Sequence, residues 1–478
     1  MKESVYEPAR EIPVLAEVDV LVVGGGVAGC AAAYAAGKAG ARTMLLERNG
    51  CLGGVATATL MANIGNVYLN ATGKQVLNGF AGEVIDRLIA AGAASPKWAS
   101  RDVPGCVIDS ERLKITLIEM LEEAGVTILT HALGARPIPE GSTVRGAFME
   151  SKSGRQAVFS AVTIDATGEA DMAWQAGAEV SFSGGTTSTL FKLGNVDLDA
   201  FVDFLARDPE GFPDRRDFVK DLDTFQRNWR ERGILFFPHG GGRHWKFMQE
   251  AVARNDFSPQ IDCARNLDAL GMYALQGNGC VVINSNFYKV TDLDVRNLSR
   301  FELHAQKMCY YVADFLAKHV PGFRKAYVAH VGVDSGIRTS RRILGPFALK
   351  REVTTESTAP VHYDDVVGVL PVWDHRLTGG EFVKEITYDI PFAITVPQGC
   401  ENLLVASGKS VSTEPIGVLR SMGGCMICGQ ATGVAAALGA RSQTDPAKVG
   451  TRAMQKELVR QGVYLGPEER LRELGLAG

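Results

Sequence analysis

The feature that most constrains the fold is a glycine-rich turn between a strand and a helix near the start of the chain. Residues 18–23 form an apolar run that predicts a buried strand, and an alanine-rich helix to about Lys38 follows the glycines at 24–29. Residues 42–46 predict a second strand that ends at Glu47. The spacing G-x-G-x-x-G, with an acid 18 residues after its last glycine, is typical of a βαβ unit that binds a dinucleotide.

Each residue type in this unit has a physical role. Gly24 permits the tight turn, Gly26 lets a pyrophosphate approach the backbone, and Gly29 lets the helix pack closely on the strand. The start of the helix offers unpaired N–H groups and positive potential to phosphates. Glu47 is expected to accept hydrogen bonds from the hydroxyls of an adenosine ribose. The alternative is a glycine turn in an α/β fold that binds no nucleotide.

Three later segments repeat the pattern of glycine beside a strand or helix. Gly53 and Gly54 come soon after the acid, where a loop could lie under a cofactor longer than NAD. A predicted strand at 158–164 runs into the sequence D-A-T-G at 165–168. Another strand at 403–406 leads into Ser-Gly-Lys and then a helix from about Gly424. These segments favour FAD, which must be wrapped along its ribityl chain.

Composition excludes several classes of protein. The 478 residues suggest two or three domains, and 46% hydrophobic with 22% charged residues is typical of a folded globular chain. A net charge of −4 gives no general attraction to nucleic acid or to an acidic membrane. The nine cysteines are odd in number and scattered, which favours a reducing cytoplasm over a disulfide framework. We expect neither a signal peptide nor a membrane span.

The middle of the chain differs in composition from the segments around it. Residues 197–232 are charge-rich and predict helix, with a solvated face favoured over a nucleic-acid patch. A glycine-rich loop at 238–244 is not framed by a strand and a helix, so we do not interpret it as a second dinucleotide site. A separate NAD(P)H domain is therefore not expected. No metal site is expected either.

Several blocks resemble the FAD-dependent oxidoreductases of glutathione-reductase-type fold, a group related to the fumarate reductase and succinate dehydrogenase flavoproteins. The matching blocks are DVLVVGGGVAGCAAAYAAGKAGARTMLLE, CLGGVAT, IDATGEADMAWQAGA, GIRTSRRILGPFAL, YDIPFAITVPQGCENLLVASGKSVS and MGGCMICGQATGVAAAL. The resemblance implies an α/β fold: a Rossmann-like FAD-binding domain, split in sequence, with an inserted α+β substrate domain. The implied boundaries are 15–180 and 381–445 for the FAD domain, 181–380 for the substrate or cap domain, and 446–478 for a helical tail.

The resemblance also implies which residues bind non-covalent FAD. They are Gly24, Gly26, Val27, Ala28, Gly29, Glu47, Arg48, Gly53, Gly54, Thr57, Ala166, Thr167, Gly168, Gly408 and Gly424.

Departures from the family pattern qualify these assignments. Val55 and Ala56 stand where related flavoproteins often carry a histidine that attaches FAD covalently, so covalent attachment there is not expected. Lys409 stands where many flavoproteins carry an Asp for the ribityl chain. The sequence D-A-T-G replaces the D-G of aromatic hydroxylases, which argues against monooxygenation.

Candidate catalytic residues come from the middle and late segments. Arg338 lies in the densest cationic cluster, 336–342, and an arginine fork suits a carboxylate, although pairing with Asp334 or Asp365 is the alternative. His239, His375 and Arg420 are the other candidates. His239 flanks a triple glycine that could act as a lid, and a surface position is the alternative for His375.

A C-x-x-C pair near the start of the late helix also has two interpretations. Cys425 and Cys428 could form a redox-active pair, but we favour two packed cysteines in a buried helix.

The predicted function is an FAD-dependent dehydrogenase or oxidase that transfers a hydride from a small polar metabolite to flavin N5. The electron acceptor stays open between dioxygen, a quinone and a carrier protein, and a homo-oligomer is compatible with the sequence. Two alternatives are a fumarate-reductase-like alkene reductase and an FAD-carrying electron-transfer subunit of a larger complex. No nucleic-acid partner is expected.

Overall fold

The chain folds into a mixed α/β architecture with two main sheets, seen in a computed structural model that describes residues 4–65, 69, 73–100, 102–103, 105–211, 221–237, 239–373 and 383–476. The strands are β1 Val14–Val23, β2 Thr43–Leu46, β3 Asn63–Gly65, β4 Gly105–Val107, β5 Thr127–Leu129, β6 Leu133–Glu140, β7 Thr143–Ser151, β8 Gly154–Asp165, β9 Val180–Phe182, β10 Thr186–Gly194, β11 Ile234–Phe237, β12 Gly271–Leu275, β13 Cys280–Lys289, β14 Tyr327–Val331, β15 Gly336–Ile337, β16 Arg341–Ile343, β17 Leu349–Lys350, β18 Val366–Trp373, β19 Val383–Pro391, β20 Leu403–Val405 and β21 Thr413–Glu414.

Helices connect and cover these strands. They are α1 Val27–Lys38, α2 Phe80–Ala90, α3 Ser110–Glu123, α4 Asp171–Gln175, α5 Leu198–Ala206, α6 Leu222–Arg232, α7 Gly241–His244, α8 Lys246–Ala253, α9 Cys263–Asn266, α10 Val295–His319, α11 Arg351–Thr355, α12 Met422–Ser442, α13 Thr451–Arg460 and α14 Glu468–Glu473.

The larger sheet has the strand order β5-β2-β1-β8-β7-β6, and β20 pairs with the end of β8. The predicted strand–helix–strand unit is confirmed as β1, α1 and β2, with Val22 opposite Leu45 on one side and Ile164 on the other. The strands β5, β2, β1, β8 and β20 are joined by parallel pairings. Because parallel strands end at one edge of a sheet, the turns that follow β1, β2, β8 and β20 lie together.

The second sheet is antiparallel and comes from the middle of the chain. Its order is β11-β12-β13-β10-β14, and β15 pairs with one end of β10. A buried aromatic cluster packs beside it, in which the rings of Phe201 and Trp245 lie 6.1 and 5.4 Å from that of Phe237. Such rings bury large apolar surfaces and stabilise the sheet by packing.

The charge-rich segment predicted as helical contains two helices, α5 and α6. Asp197 and Asp221 cap them by accepting from the backbone N–H groups of Ala200 and Thr224. Residues 212–220 of the predicted helical segment lie outside the described residues.

The helices α1 and α12 are in close contact across the interior. A Cβ atom at Gly429 would lie 2.2 Å from the carbonyl oxygen of Ala28, and one at Gly433 would lie 2.1 Å from that of Ala32. Two glycines four residues apart therefore let the two helix backbones approach on one face. The two helices therefore run in the same direction, with the start of α1 beside Gly429 of α12.

One helix in the described part of the chain, α12, is long and apolar enough to cross a membrane. The whole of its most apolar stretch is buried inside the protein, where it packs against α1 and the larger sheet. Length and hydropathy of this kind are equally typical of a core helix.

The segment after D-A-T-G forms a short helix, α4, that ends at Gln175, and Gly177 follows with a φ of +92°, a left-handed conformation that ends a helix. The glycine-rich loop at 238–244 includes a single helical turn, Gly241–His244. The helices α13 and α14 lie in the part of the chain after residue 446.

Candidate active site at the edge of the parallel strands

A single large cavity, among the described residues, lies at the carboxyl edge of the parallel strands. Its volume is about 1310 Å³, above the ~300–1,000 Å³ range of ordinary small-molecule pockets. The turns after β1, β2, β8 and β20 line one part of it, and the six-stranded antiparallel sheet lines another. The volume and the two different walls suit a long cofactor together with a second, smaller molecule.

The glycine turn after β1 presents bare backbone to this cavity. Gly24 has a φ of +107°, and a Cβ there would lie 2.5 Å from the carbonyl oxygen of Ala166. A Cβ at Gly29 would lie 1.8 Å from the carbonyl oxygen of Gly24. Gly26 differs, because no atom lies within 4 Å of an added Cβ, and no side chain caps the helix that it precedes. The first N–H groups of α1 are thus available to a ligand in the cavity.

Glu47 lies at the end of β2 with its carboxylate held by the backbone. Its two oxygens accept hydrogen bonds from the N–H groups of Gly25 and Asn49, both at 2.7 Å. Burial raises the pKa of Glu47, while the same hydrogen bonds lower it. Arg48, the next residue, forms an ion pair with Asp334, so the loop after β14 reaches the end of β2.

The turn after β8 carries three carboxylates. Asp165 is fully buried and accepts from the N–H groups of Thr167 and Ala173 at 3.1 and 2.9 Å. Glu169 forms an ion pair with Lys409, whose ammonium also donates to the carbonyl oxygen of Ile337 at 3.0 Å. The lysine that departs from the family pattern therefore lies in the cavity wall with an acidic partner.

The third of these carboxylates, Asp171, faces the cavity and pairs with Arg341 at 2.9 Å. Burial and the neighbouring charges of Glu169 and Asp165 raise the pKa of Asp171 to about 6, against the opposing effect of Arg341. A raised carboxyl pKa in a cleft marks a place where negative charge is already crowded.

The N-terminus of α12 forms another part of the wall. Ser421 accepts from the N–H of Gly424 at 3.2 Å and caps the helix, and Met422 and Cys425 line the cavity. Cys425 and Cys428 are free thiols, and burial raises the pKa of both. These properties are those of packed cysteines, as the sequence analysis favoured, since a reactive thiol needs a lowered pKa.

Many of the predicted cofactor residues line the cavity, and the others lie outside its lining. Those that line it are Gly24, Gly26, Val27, Ala28, Glu47, Arg48, Gly54, Ala166, Thr167 and Gly168. Those outside the lining are Gly29, Gly53, Thr57, Gly408 and Gly424.

The residues outside the lining have identifiable packing roles. Thr57 donates to the carbonyl oxygen of Leu52 at 2.5 Å, and Gly53 donates to that of Gly25 at 2.8 Å. Added Cβ atoms at Gly408 and Gly424 would lie 2.3 and 2.4 Å from the carbonyl oxygen of Leu419. These glycines permit close packing of the loop that precedes α12.

Of the predicted catalytic residues, Arg338, Arg420 and His239 line the same cavity. Arg338 donates to the Ser188 hydroxyl at 3.2 Å, and its guanidinium group lies 4.5 Å from the centre of the Phe287 ring. The centre of the His239 ring lies 6.0 Å from that of the same phenylalanine. His375 lies outside the described residues.

Arg338 and Arg420 have no carboxylate partner among the described residues. Burial lowers the pKa of Arg338 to about 10, and the charge of Arg420 adds to this effect. Burial likewise lowers the pKa of Arg420, although the side chain keeps accessible surface because it faces the cavity. The pairing alternative holds instead for their neighbours, since Arg341 pairs with Asp171 and Arg342 lies 3.7 Å from Glu414. Two cavity-lining guanidinium groups that have no acidic partner in the described part of the chain favour binding of an anion.

Sequence reasoning missed several polar residues of the cavity wall. Tyr273, Asn284 and Ser188 lie on strands of the antiparallel sheet, and all three face the cavity. Strand alternation was the signal available, but it needs the register between β10, β12 and β13, which the sequence alone does not reveal.

The geometry fits a dinucleotide of the expected kind. Bare backbone at Gly26, an uncapped helix start and a carboxylate at the end of the next strand are the groups that a pyrophosphate and a ribose require.

Comparison with known proteins gives one curated relative of moderate similarity. The digeranylgeranylglycerophospholipid reductase 2 of Methanothermobacter thermautotrophicus is 27% identical over 234 residues, which are 47% of this chain and 55% of the relative. The chain thus matches about half the length of that enzyme.

The similarity to solved structures is weaker. A geranylgeranyl bacteriochlorophyll reductase-like protein from Thermoplasma acidophilum is 14% identical with a TM-score of 0.41, covering 96% of this chain and 90% of its own. A triple mutant of a flavin-dependent brominase is 12% identical with a TM-score of 0.46, covering 96% and 94%.

A family match covers nearly the whole chain. The family of FAD dependent oxidoreductases matches residues 19–458, from the middle of β1 to α13. The glycine turn, the cavity and this match agree on the cofactor. The chain belongs to the FAD dependent oxidoreductase family: it is an enzyme, and its cofactor is FAD.

Proposed function

We propose that this enzyme transfers a hydride between flavin N5 and a small polar substrate that carries a negative charge, in the manner of a dehydrogenase or oxidase. The observation that carries the proposal is the pair of arginines, Arg338 and Arg420, which face the cavity without an acidic partner in the described chain. Two positive charges that face one cavity repel each other, and an anionic substrate can pair with both of them.

The turns at the edge of the parallel strands would hold FAD without a covalent bond. In this proposal Gly24, Gly26 and the start of α1 bind the pyrophosphate, Glu47 binds the adenosine ribose, and the segment 166–168 contacts the ribityl region. When bound, FAD supplies the hydride chemistry at N5. The protein binds the substrate, orients its reacting carbon and excludes water.

The proposal also includes a division of the chain. Residues 15–180 and 381–445 form a split FAD domain of glutathione-reductase type, 181–380 an inserted substrate domain, and 446–478 a helical tail. Two observations support it: β20 adds to the larger sheet beside β8, and the antiparallel sheet draws its strands from residues 186–337. A relation to fumarate reductase and succinate dehydrogenase flavoproteins belongs to the same proposal.

The direct test is anaerobic reduction of the bound flavin. Purified protein loaded with FAD is mixed without oxygen with a panel of small metabolites, half of them carboxylates and half their neutral amides or esters. We expect bleaching of the visible flavin band by a carboxylate and not by its neutral counterpart. Bleaching by neutral compounds alone would contradict the anionic substrate, and protein that neither is yellow nor binds added FAD would contradict the function as a whole.

Reduction of a carbon–carbon double bond is the second candidate. The similarity to a digeranylgeranylglycerophospholipid reductase favours it, because that relative is a reductase. The test is the reverse experiment, in which the chemically reduced enzyme is mixed with unsaturated carboxylates under nitrogen. Return of the oxidised flavin band would support reduction as the physiological direction.

A further inference from the structure

The register of the antiparallel sheet builds a row of side chains that faces the cavity. Phe236 on β11 lies opposite Tyr273 on β12, and Asn284 on β13 lies opposite Gly271 on β12 and Leu190 on β10. Residues opposite one another, or two apart on one strand, point to the same face of a sheet. Phe236, Tyr273, Asn284 and Leu190 all line the cavity, so Tyr273 and Asn284 supply the polar groups of this row.

Tyr273 is held in one direction by its neighbours. The Asn284 amide donates to the phenol oxygen at 3.0 Å, and both residues are almost fully buried. The ring of Tyr273 also lies 5.1 Å from that of Phe236. Because the amide occupies a lone pair of the phenol oxygen, the phenol hydrogen points elsewhere, and no described protein group accepts it.

The charges that act on the phenol are those of the proposed substrate site. Burial raises the pKa of Tyr273, while the Asn284 hydrogen bond and the Arg338 charge lower it. The phenol is thus protonated at neutral pH and serves as a donor. Arg420 acts on Arg338, and no carboxylate contributes to the charge felt by Tyr273.

We propose that Tyr273 is a specificity-determining residue whose hydroxyl donates a hydrogen bond to the anionic oxygen of the substrate held by Arg338 and Arg420. The Asn284 side chain positions this hydroxyl through its hydrogen bond to the phenol oxygen. The inference rests on the proposed function, since it concerns the substrate side of the same cavity. Recognition of a negative oxygen by two guanidinium groups and one neutral donor rejects a neutral isostere, which leaves the cations without a counter-charge.

The test measures binding of matched probes to the FAD-loaded enzyme. Acetate and benzoate are compared with acetamide and benzamide by calorimetry and by perturbation of the flavin band. In the wild-type enzyme we expect each carboxylate to bind at least about tenfold more tightly than its amide. In Tyr273→Phe we expect carboxylate binding to weaken by about 10- to 100-fold, the usual range for a hydrogen bond to a charged group, with a smaller change for the amides.

Two further variants keep the test decisive. Tyr288→Phe removes a half-buried phenol of β13 that does not line the cavity, and it should leave both probe pairs unchanged. Asn284→Leu removes the positioning amide while it keeps the volume, and it should weaken carboxylates by several-fold even if Tyr273→Phe does not fold. FAD retention and melting temperature are recorded for each variant.

Three outcomes overturn the inference. They are equal affinity of the wild-type enzyme for carboxylates and amides, absence of carboxylate binding, and wild-type carboxylate affinity in a folded Tyr273→Phe or Asn284→Leu protein. If metabolites still bleach the flavin in any of these cases, the result contradicts the role of Tyr273 and leaves the proposed function supported. If FAD itself does not bind, both fall.

Discussion

At the scale of single residues, Gly24 and Gly26 show how one motif contains two kinds of glycine. Gly24 is required by the backbone, because its φ of +107° and the nearby Ala166 carbonyl exclude a side chain. Gly26 has an extended backbone conformation that any residue adopts, and the space beside it is empty. Its lack of a side chain therefore serves the ligand rather than the fold.

This contrast predicts different effects for two substitutions. Gly26→Ala should leave the melting temperature of the FAD-free protein nearly unchanged and weaken FAD binding by about tenfold or more, since a methyl group enters the space of the pyrophosphate. Gly24→Ala should destabilise the FAD-free protein by about 1–3 kcal/mol through backbone strain. Thermal unfolding and FAD titration measure the two effects, and an unstable Gly26→Ala protein with normal FAD affinity would contradict the assignment.

Asp171 permits a prediction about pH at the same scale. Its pKa is raised to about 6 in the folded protein from an ordinary value of 3.8, so the folded state holds this proton more tightly than the unfolded chain. The stabilisation is complete below about pH 4 and is lost as the pH rises through 6. Asp171→Asn should therefore raise the melting temperature at pH 7.5 relative to wild type, and the difference should shrink toward pH 4.5.

Asp292→Asn is the control, because its effect on the melting temperature should have the opposite sign. Hydrogen bonds from the Asn297 side chain and the Asp294 N–H lower the pKa of Asp292, so its carboxylate stabilises the fold at neutral pH. This variant should lower the melting temperature at pH 7.5 and have less effect at low pH. A pH-independent effect of Asp171→Asn would show that lost contact with Arg341 dominates instead.

At the scale of elements, the contact between α1 and α12 determines where the cavity lies. The sequence indicated both helices, and α12 begins two residues before the predicted start because Ser421 caps it. It did not indicate that Gly429 and Gly433 lie against the backbone of α1, since a glycine in a helix has the same local effect in any packing arrangement.

Substitution at this contact should separate packing from helix propensity. Alanine at Gly429 would favour the helix by about 1 kcal/mol in isolation, but its Cβ would lie 2.2 Å from the Ala28 carbonyl oxygen. We expect Gly429→Val to lower the free energy of unfolding by about 2 kcal/mol or more through overpacking. Gly450→Ala, where no atom lies within 4 Å, should stay within about 0.5 kcal/mol in denaturant titration. Equal effects of the two changes would contradict the packing argument.

At the scale of the whole molecule, the cavity wall is assembled from distant parts of the chain. Glu47 follows β2, Thr167 follows β8, Tyr273 lies in the antiparallel sheet and Met422 begins α12. The ion pair of Arg48 with Asp334 joins two of these parts. A ligand that touches all of them should stabilise the molecule as a unit.

Flavin nucleotides of different length test this assembly. FAD at 100 times its Kd should add about 2.7 kcal/mol to the free energy of unfolding. FMN at the same concentration should add less, because it lacks the adenosine and half of the pyrophosphate that Glu47 and the glycine turn are proposed to bind. Glu47→Gln should reduce the stabilisation by FAD and leave the stabilisation by FMN unchanged. Equal stabilisation by FMN and FAD would show that the protein does not bind the adenosine half of FAD. Thermal and denaturant unfolding provide the measurements.

The amino-acid sequence was enough to predict the βαβ unit at the start of the chain, because this unit depends on the local spacing of glycines, a strand, a helix and an acid. The family and its FAD cofactor were predicted from the resemblance of several sequence blocks to FAD-dependent oxidoreductases. Only the tertiary structure decided which residues share the cavity wall. Tyr273 and Asn284 meet through strand register. Among the described residues, Arg341 pairs with Asp171 and Arg342 lies near Glu414, whereas Arg338 and Arg420 have no carboxylate partner. Register and ion pairing join residues far apart in sequence, so no local pattern encodes them.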